Sequence, residues 1–78
     1  MLNEIKMPFL GIDVQIGTIA QWYKKIGDYV QKGELLAEIE CDKVTLELEA
    51  ELEGVLVEVL LQQGESAKEG EVIAFLKA

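Results

Sequence analysis

Slid 37 positions along itself, this sequence superimposes its own glycines: Gly17 falls on Gly54, Gly27 on Gly64 and Gly33 on Gly70. The residues around them agree in kind. Gly27-Asp28-Tyr29-Val30-Gln31-Lys32-Gly33-Glu34-Leu35-Leu36-Ala37 runs alongside Gly64-Glu65-Ser66-Ala67-Lys68-Glu69-Gly70-Glu71-Val72-Ile73-Ala74. In both, an acid follows the first glycine and a glycine–acid pair precedes an apolar run. A duplication of this kind obliges both copies, about 17–39 and 54–76, to adopt one structure. The glycines supply the positive φ angles of tight turns. In a single domain of 78 residues neither half can bury its own apolar face, so the halves pack as two sheets around a shared core. The midpoint of the chain then becomes a turn at one extremity, with both termini near the other.

The repeat also decides an ambiguous stretch. Ile19, Trp22, Tyr23 and Ile26 are spaced as on a helix, with Gly27 placed as a C-cap. Their counterparts in the second copy lie in Val55-Leu56-Val57-Glu58-Val59-Leu60-Leu61, whose β-branched residues favour a strand. A strand is therefore predicted over Thr18 to Lys24, with Thr18, Ala20 and Trp22 matching Val55, Val57 and Val59. Each half then reads as a strand, a turn, a very short strand at Tyr29-Val30 or Ser66-Ala67, a second turn, and a strand over Leu35 to Cys41 or Val72 to Lys77. Leu2 to Met7, stopped by Pro8, and Val44 to Ala50 supply the remaining long strands, again 37 or so positions apart in role. Phe9 to Ile16 is a loop with exposed apolar residues, either a flap over one end of the core or a recognition surface.

At the centre lies Glu38-Ile39-Glu40-Cys41-Asp42-Lys43-Val44-Thr45-Leu46-Glu47-Leu48-Glu49. Ala37, Ile39 and Cys41 fall on one face of an extended chain and Glu38 and Glu40 on the other. After one interruption, Val44, Leu46, Leu48 and Ala50 alternate with Thr45, Glu47 and Glu49. Asp42, a residue that readily opens tight turns, makes the interruption a β-hairpin with Lys43 at its tip. A lysine there has two readings. It is a solvated turn residue that balances nearby carboxylates, or it is an attachment point, a primary amine held out on a stiff support for another enzyme to acylate.

Charge and residue usage narrow the chemistry. A net charge of −8, with no Arg and no His, repels phosphate backbones and anionic lipid, so neither a nucleic acid nor a membrane is an expected partner. One cysteine allows no internal disulfide and no cysteine–histidine zinc site. Without a membrane-length apolar run or a signal peptide, the expectation is an intracellular, not a secreted, protein. Lacking a nucleophile–base pair or a phosphate-binding loop, the chain reads as a carrier and not as an enzyme by itself.

The run Gly27-Asp28-x-Val30-x-x-Gly33-Glu34-x-Leu36-x-x-Ile39-Glu40-x-Asp42-Lys43-Val44 resembles the lipoyl domains of the acyltransferase components of 2-oxo acid dehydrogenase complexes. Lys6-Met7-Pro8-x-Leu10-Gly11 and Gly17-Thr18-Ile19-x-x-Trp22-x-Lys24-Lys25-x-Gly27-Asp28 extend the likeness over essentially the whole chain, residues 1–78. The resemblance implies an all-β fold, a flattened β-barrel or sandwich of two four-stranded antiparallel sheets with quasi-twofold symmetry, a barrel-sandwich hybrid. It implies covalent lipoic acid on Lys43. It assigns recognition by the lipoate ligase or lipoyl transferase to Glu40, Asp42 and Val44 and to Gly27 and Gly54 as the glycines framing the hairpin. Partner recognition falls to Phe9, Leu10, Gly11, Ile12 and Asp13. The implied role is a swinging arm that accepts an acyl group at a thiamine-diphosphate-dependent decarboxylase, delivers it to coenzyme A at an acyltransferase core, and is reoxidised by dihydrolipoamide dehydrogenase. The isolated domain is expected to be a monomer and one module of a longer acyltransferase, in the bacterial cytoplasm or the mitochondrial matrix.

Biotinyl carriers share this fold but flank their lysine with Met, whereas Asp42 and Val44 stand here. An unmodified hairpin domain that only links proteins is the further alternative. Cys41 occupies a position where the family often has a small or hydroxyl residue, and its alternation places it on the core side as an inert thiol. Val14 and Ile16 stand where Met and Glu are common, and Asp42-Lys43-Val44 and Pro8-x-Leu10-Gly11 point toward different subfamilies, leaving the 2-oxo acid open.

Overall fold

The computed structural model describes all residues from Met1 to Ala78. Its strands are β1 (Leu2–Lys6), β2 (Ile16–Trp22), β3 (Tyr29–Val30), β4 (Leu35–Cys41), β5 (Val44–Glu49), β6 (Gly54–Val59), β7 (Ser66–Lys68) and β8 (Val72–Lys77), with no helix. They form two four-stranded sheets, in the orders β1-β8-β6-β3 and β5-β4-β2-β7. Every pairing is antiparallel. Adding 37 to the central strands of one sheet gives those of the other, so the duplication in the sequence is a quasi-twofold in space.

The symmetry reaches individual hydrogen bonds. Gly27 N donates to Leu56 O at 2.7 Å, and Gly64 N to Ile19 O at 2.8 Å. The repeated acids prove to be turn caps. Asp28 and Glu65 accept from Lys25 N and Gln62 N at 2.8 and 2.7 Å, while Glu34 and Glu71 accept from Gln31 N and Lys68 N at 2.6 and 2.9 Å. Each satisfies a backbone amide three residues earlier, in a turn or, at Lys68, at the end of β7.

The bulges repeat too. The register slips between Ile19 and Gln21 and between Leu56 and Glu58, leaving Ala20 and Val57 as extra residues. It slips again between Leu35 and Ala37, and between Val72 and Ala74 opposite Lys6 and Ile5, around the fully buried Leu36 and Ile73. A bulge turns the following side chain to the other face. This explains the helix-like spacing of Ile19 and Trp22: both enter the core, three positions apart, because Ala20 sits between them as the extra residue. The strand found there runs over Ile16–Trp22 and not Thr18 to Lys24. Its start is drawn back by pairing of Ile16 and Gly17 with Lys68 and Ala67.

One expectation fails in detail. β1 and β5 are not 37 positions apart: Met7 N donates to Glu71 O and Ala50 N to Glu34 O, both at 2.8 Å, so Met7 corresponds to Ala50, 43 positions on. Met7 to Gly17 is ten steps and Ala50 to Gly54 four, so the connection after β1 carries six extra residues. That insertion is the main departure of the molecule from its own symmetry.

Sixteen apolar side chains form the core, and no polar side chain is buried with them. Among them Ile19, Val30, Leu36, Ile39, Leu56 and Ile73 are fully enclosed. Each large aliphatic side chain so buried is worth about 1.5–3 kcal/mol. Packing is close at Gly17, where an added Cβ would lie 2.8 Å from Ile39 Cγ2 on the neighbouring strand β4, and 2.9 Å from Met7 Sδ and 3.1 Å from Leu10 Cδ2 in the connection after β1. Overall the domain measures 33 × 20 × 19 Å. The β4–β5 hairpin closes at the Cys41–Val44 pair, and its symmetry mate is the pair of chain ends, where Ala78 N donates to Met1 O at 3.1 Å. Hairpin tip and termini therefore lie at opposite ends, as the repeat predicts.

Candidate functional site

Asp42 and Lys43 are the whole of the loop between β4 and β5, and their φ angles are 43° and 70°. Two-residue hairpins favour such left-handed pairs because the turn's twist then matches that of the strands, and the usual occupants are Asn-Gly or Asp-Gly. Asp42 fits that rule. Lys43 does not: a residue with a Cβ sits where glycine is the unstrained choice. Its side chain is exposed. The two ion pairs of the domain, Lys24 with Glu34 and Lys6 with Glu4, do not involve it. The hairpin thus holds out a primary amine whose position, but not whose side chain, is constrained.

Behind the tip, cross-strand register lines up Thr45, Glu40, Thr18 and Ser66 across β5, β4, β2 and β7. Thr18 Oγ1 and Ser66 Oγ are 2.7 Å apart. One row further from the tip, Glu38 opposes Glu47, and the Tyr23 hydroxyl donates to Glu38. That hydrogen bond, with partial desolvation and the charges of Glu38 and Glu47, raises the phenol above its ordinary pKa. The outer face leading to Lys43 is therefore acidic, with Glu40 the carboxylate next to the turn. A shallow depression of about 470 Å³ beside the tip is bordered by Ile16, Thr18, Glu40, Val44 and Thr45.

The insertion after β1 reaches this end of the molecule. Cys41, buried at 4% exposure, donates its thiol to Leu10 O at 3.7 Å, so the thiol lies on the core side as its alternation predicts. Of the five loop residues expected to recognise partners, the structure separates one. Phe9 and Ile12 are 67% and 86% exposed and Asp13 also faces out, but Leu10 is only 5% exposed and belongs to the core. Leu10 offers little surface to a partner, because its side chain packs into the space left by the missing side chain of Gly17. Gly11, at φ 136°, shapes the loop, in which Val14 N donates to Gly11 O at 3.2 Å.

The glycines expected to frame the hairpin do so in sequence only. Gly54 pairs with Val30 in the other sheet, and an added Cβ there would meet Lys77 O at 2.7 Å, at the end that holds the termini. Gly27 bonds to Leu56 in that same sheet. The glycine packed behind the lysine hairpin is Gly17, beside Thr18 and its partner Glu40. Ile16, 55% exposed, joins Val44, 54% exposed, in flanking the tip. The sequence carried a signal for it, an apolar residue out of phase with the inward Gly17 and Ile19.

Comparison with known proteins agrees with this geometry. The family model described as "Biotin-requiring enzyme" matches residues 3–76. The chain is 54% identical over 72 residues to the dihydrolipoyllysine-residue succinyltransferase component of the 2-oxoglutarate dehydrogenase complex of Bacillus subtilis, a match covering 92% of this chain and 17% of that protein. It is 41% identical over 76 residues to the component of the same name from Pseudomonas aeruginosa, covering 97% of this chain and 19% of that protein. The chain thus spans less than a fifth of the length of these relatives. Among solved structures, the lipoyl domain of the 2-oxoglutarate dehydrogenase complex of Azotobacter vinelandii matches with a TM-score of 0.78 at 37% identity, covering 96% of this chain and 95% of that one. With its all-β sandwich, duplicated halves and turn-borne lysine, the chain belongs to the biotinyl/lipoyl carrier family, as a non-catalytic lipoyl domain of the acyltransferase type.

Proposed function

We propose that Lys43 carries lipoic acid in amide linkage and that the domain presents this group in turn to the components of a 2-oxo acid dehydrogenase complex. The observation that carries the reading is the strained lysine. A hairpin selected for stability alone would place glycine at φ 70°, whereas here a free amine occupies the position. In the modification step the Lys43 nitrogen sheds a proton and attacks a lipoyl carboxyl activated by the ligase. The new N–C bond replaces the bond to the activating group, and a second proton leaves to give the neutral amide.

Each part of the site has a task in this reading. The two-residue turn is narrow enough to enter a ligase or decarboxylase site without disturbing either sheet. Glu40, with Asp42 and Val44 beside the lysine, offers the contacts by which a modifying enzyme recognises the turn, and the acidic outer face of β4 and β5 suits basic partner surfaces. Phe9, Ile12 and Asp13 are the contacts for a thiamine-diphosphate-dependent decarboxylase. A bound lipoyl group supplies a dithiolane that can be acylated reductively and later reoxidised. Tethering on a rigid domain keeps it at high effective concentration near the acyltransferase core and dihydrolipoamide dehydrogenase. The names of the Bacillus and Pseudomonas relatives favour 2-oxoglutarate as the oxo acid and succinyl as the acyl group.

The test is intact mass spectrometry with peptide mapping after co-expression with lipoate and its ligase. The wild-type domain is expected to gain one lipoyl group on the peptide containing Lys43, and Lys43→Arg none while it keeps its fold. A lipoyl group on Lys43→Arg, a biotinyl group, or a bare lysine in the wild type would each overturn the assignment.

A further inference from the structure

We propose that Leu10 is a positioning residue, which holds the inserted loop after β1 in fixed register with the Lys43 turn. The proposal deepens the reading in which Phe9 and Ile12 contact the decarboxylase.

The loop has six residues with no counterpart in the other half, and it arises at the end of the molecule that carries the lysine. An added segment of that length with exposed Phe9 and Ile12 would, if held only by its ends, sample many positions relative to the tip. Leu10 prevents this in two ways. Its side chain is buried against the Cβ-free surface of Gly17, where Leu10 Cδ2 lies within 3.1 Å of the place a side chain would begin. Its backbone is held on both sides: Cys41 donates its thiol to Leu10 O at 3.7 Å, and Leu10 N donates to Glu69 Oε1 at 3.3 Å. Cys41 is the last residue before the Asp42-Lys43 turn, and Glu69 belongs to the turn between β7 and β8. The loop is thereby pinned in its interior to the hairpin that bears the amine and to the opposite edge of the same sheet.

The consequence is one preorganised surface. Phe9 and Ile12 hold their place relative to the Lys43 turn, so a partner that reads the loop finds that turn at a set distance and does not have to order the loop on binding. The quasi-twofold makes the arrangement specific to this end, because the equivalent connection from Ala50 to Gly54 is too short to carry a plug.

The test combines amide hydrogen exchange on the domain as isolated with acylation kinetics of the lipoylated domain, using a 2-oxoglutarate decarboxylase component. Leu10→Ala is expected to speed exchange at Gly11 to Val14 roughly tenfold, with β4 and β5 unaffected. It is expected to raise KM for the domain about tenfold with kcat preserved. Leu10→Met should restore both. Phe9→Ala should raise KM in the wild type yet add little in the Leu10→Ala background, because a released loop has already lost that contact. Cys41→Ala is the second variant if Leu10→Ala does not fold: it should move exchange and KM in the same direction, with Cys41→Ser, which keeps a donor, closer to wild type. Unchanged loop exchange in both Leu10→Ala and Cys41→Ala, or additive effects of Phe9→Ala and Leu10→Ala on KM, would overturn the proposal. Failure of the decarboxylase to acylate the lipoylated wild-type domain would instead count against the functional reading, and the exchange measurements would still judge the role of Leu10.

Discussion

Replacing Lys43 with glycine is expected to stabilise this domain. Lys43 has φ 70° in a turn whose other residue also has positive φ. Holding a residue with a Cβ in the left-handed region costs about 1–2 kcal/mol, which glycine does not incur. Against this, glycine gives the unfolded chain more freedom, an offset of about 0.4–1 kcal/mol. Lys43 makes no ion pair whose loss must be added. At the middle of both ranges the net gain for Lys43→Gly is about 0.8 kcal/mol. With an unfolding entropy near 2.1 cal/mol/K per residue, 78 residues give roughly 160 cal/mol/K, and the gain corresponds to about 5 °C in Tm. Thermal unfolding followed by circular dichroism, on unmodified protein, measures it. Lys43→Ala is the control, since it removes the amine but keeps the Cβ and so stays near wild type. A Lys43→Gly domain that melts at or below Lys43→Ala would refute the claim that this position is strained, and with it the inference that lysine is kept there for chemistry.

Two further expectations concern the scaffold. Gly17→Ala places a methyl group within 2.8 Å of Ile39 Cγ2 and 2.9 Å of Met7 Sδ; overpacking of this kind costs about 1–3 kcal/mol, readable as a lower midpoint in urea with an unchanged slope. Glu34 is held below the ordinary carboxylate pKa, first by its hydrogen bond from Lys24 and then by that from Gln31 N. A depressed folded-state pKa contributes stability that is present above the unfolded value and lost as pH falls through the folded one. The stability difference between wild type and Glu34→Gln should therefore be full at neutral pH and shrink on acidification, and a difference that grows toward acid would exclude this account.

Much of the architecture was legible because the repeat constrains twice what each residue suggests once. Val55 to Val59 corrected the helical spacing of Ile19, Trp22 and Tyr23, although only the structure supplies its origin, an extra residue at Ala20. The hairpin and the outward lysine followed from strict alternation on either side of Asp42-Lys43. The correspondence of β1 with β5 departs from 37 because the six-residue insertion lies between β1 and the first matching glycine, a slip already present in the spacing of the expected strands, Leu2 to Met7 and Val44 to Ala50. For the loop from Phe9 to Ile16 the sequence leaves both a flap over the core and an exposed recognition surface open. Leu10 looks no different from Phe9 or Ile12 in sequence, and its burial depends on a hollow at Gly17 that exists only once β2, β4 and the connection after β1 pack together. Gly54 was misplaced for the converse reason. Nearness to Lys43 along the chain says nothing about nearness across two sheets.

In a fold made of two matching halves, the Asp42-Lys43 bend ought to have a twin, and the place where the twin would stand is the gap between Ala78 and Met1, bridged by a single hydrogen bond. One corner of the molecule is thus given to display and its mirror to suspension. Anything fused to Met1 or Ala78 hangs on the side farthest from the amine, so a bulky neighbour there leaves the approach to Lys43 open.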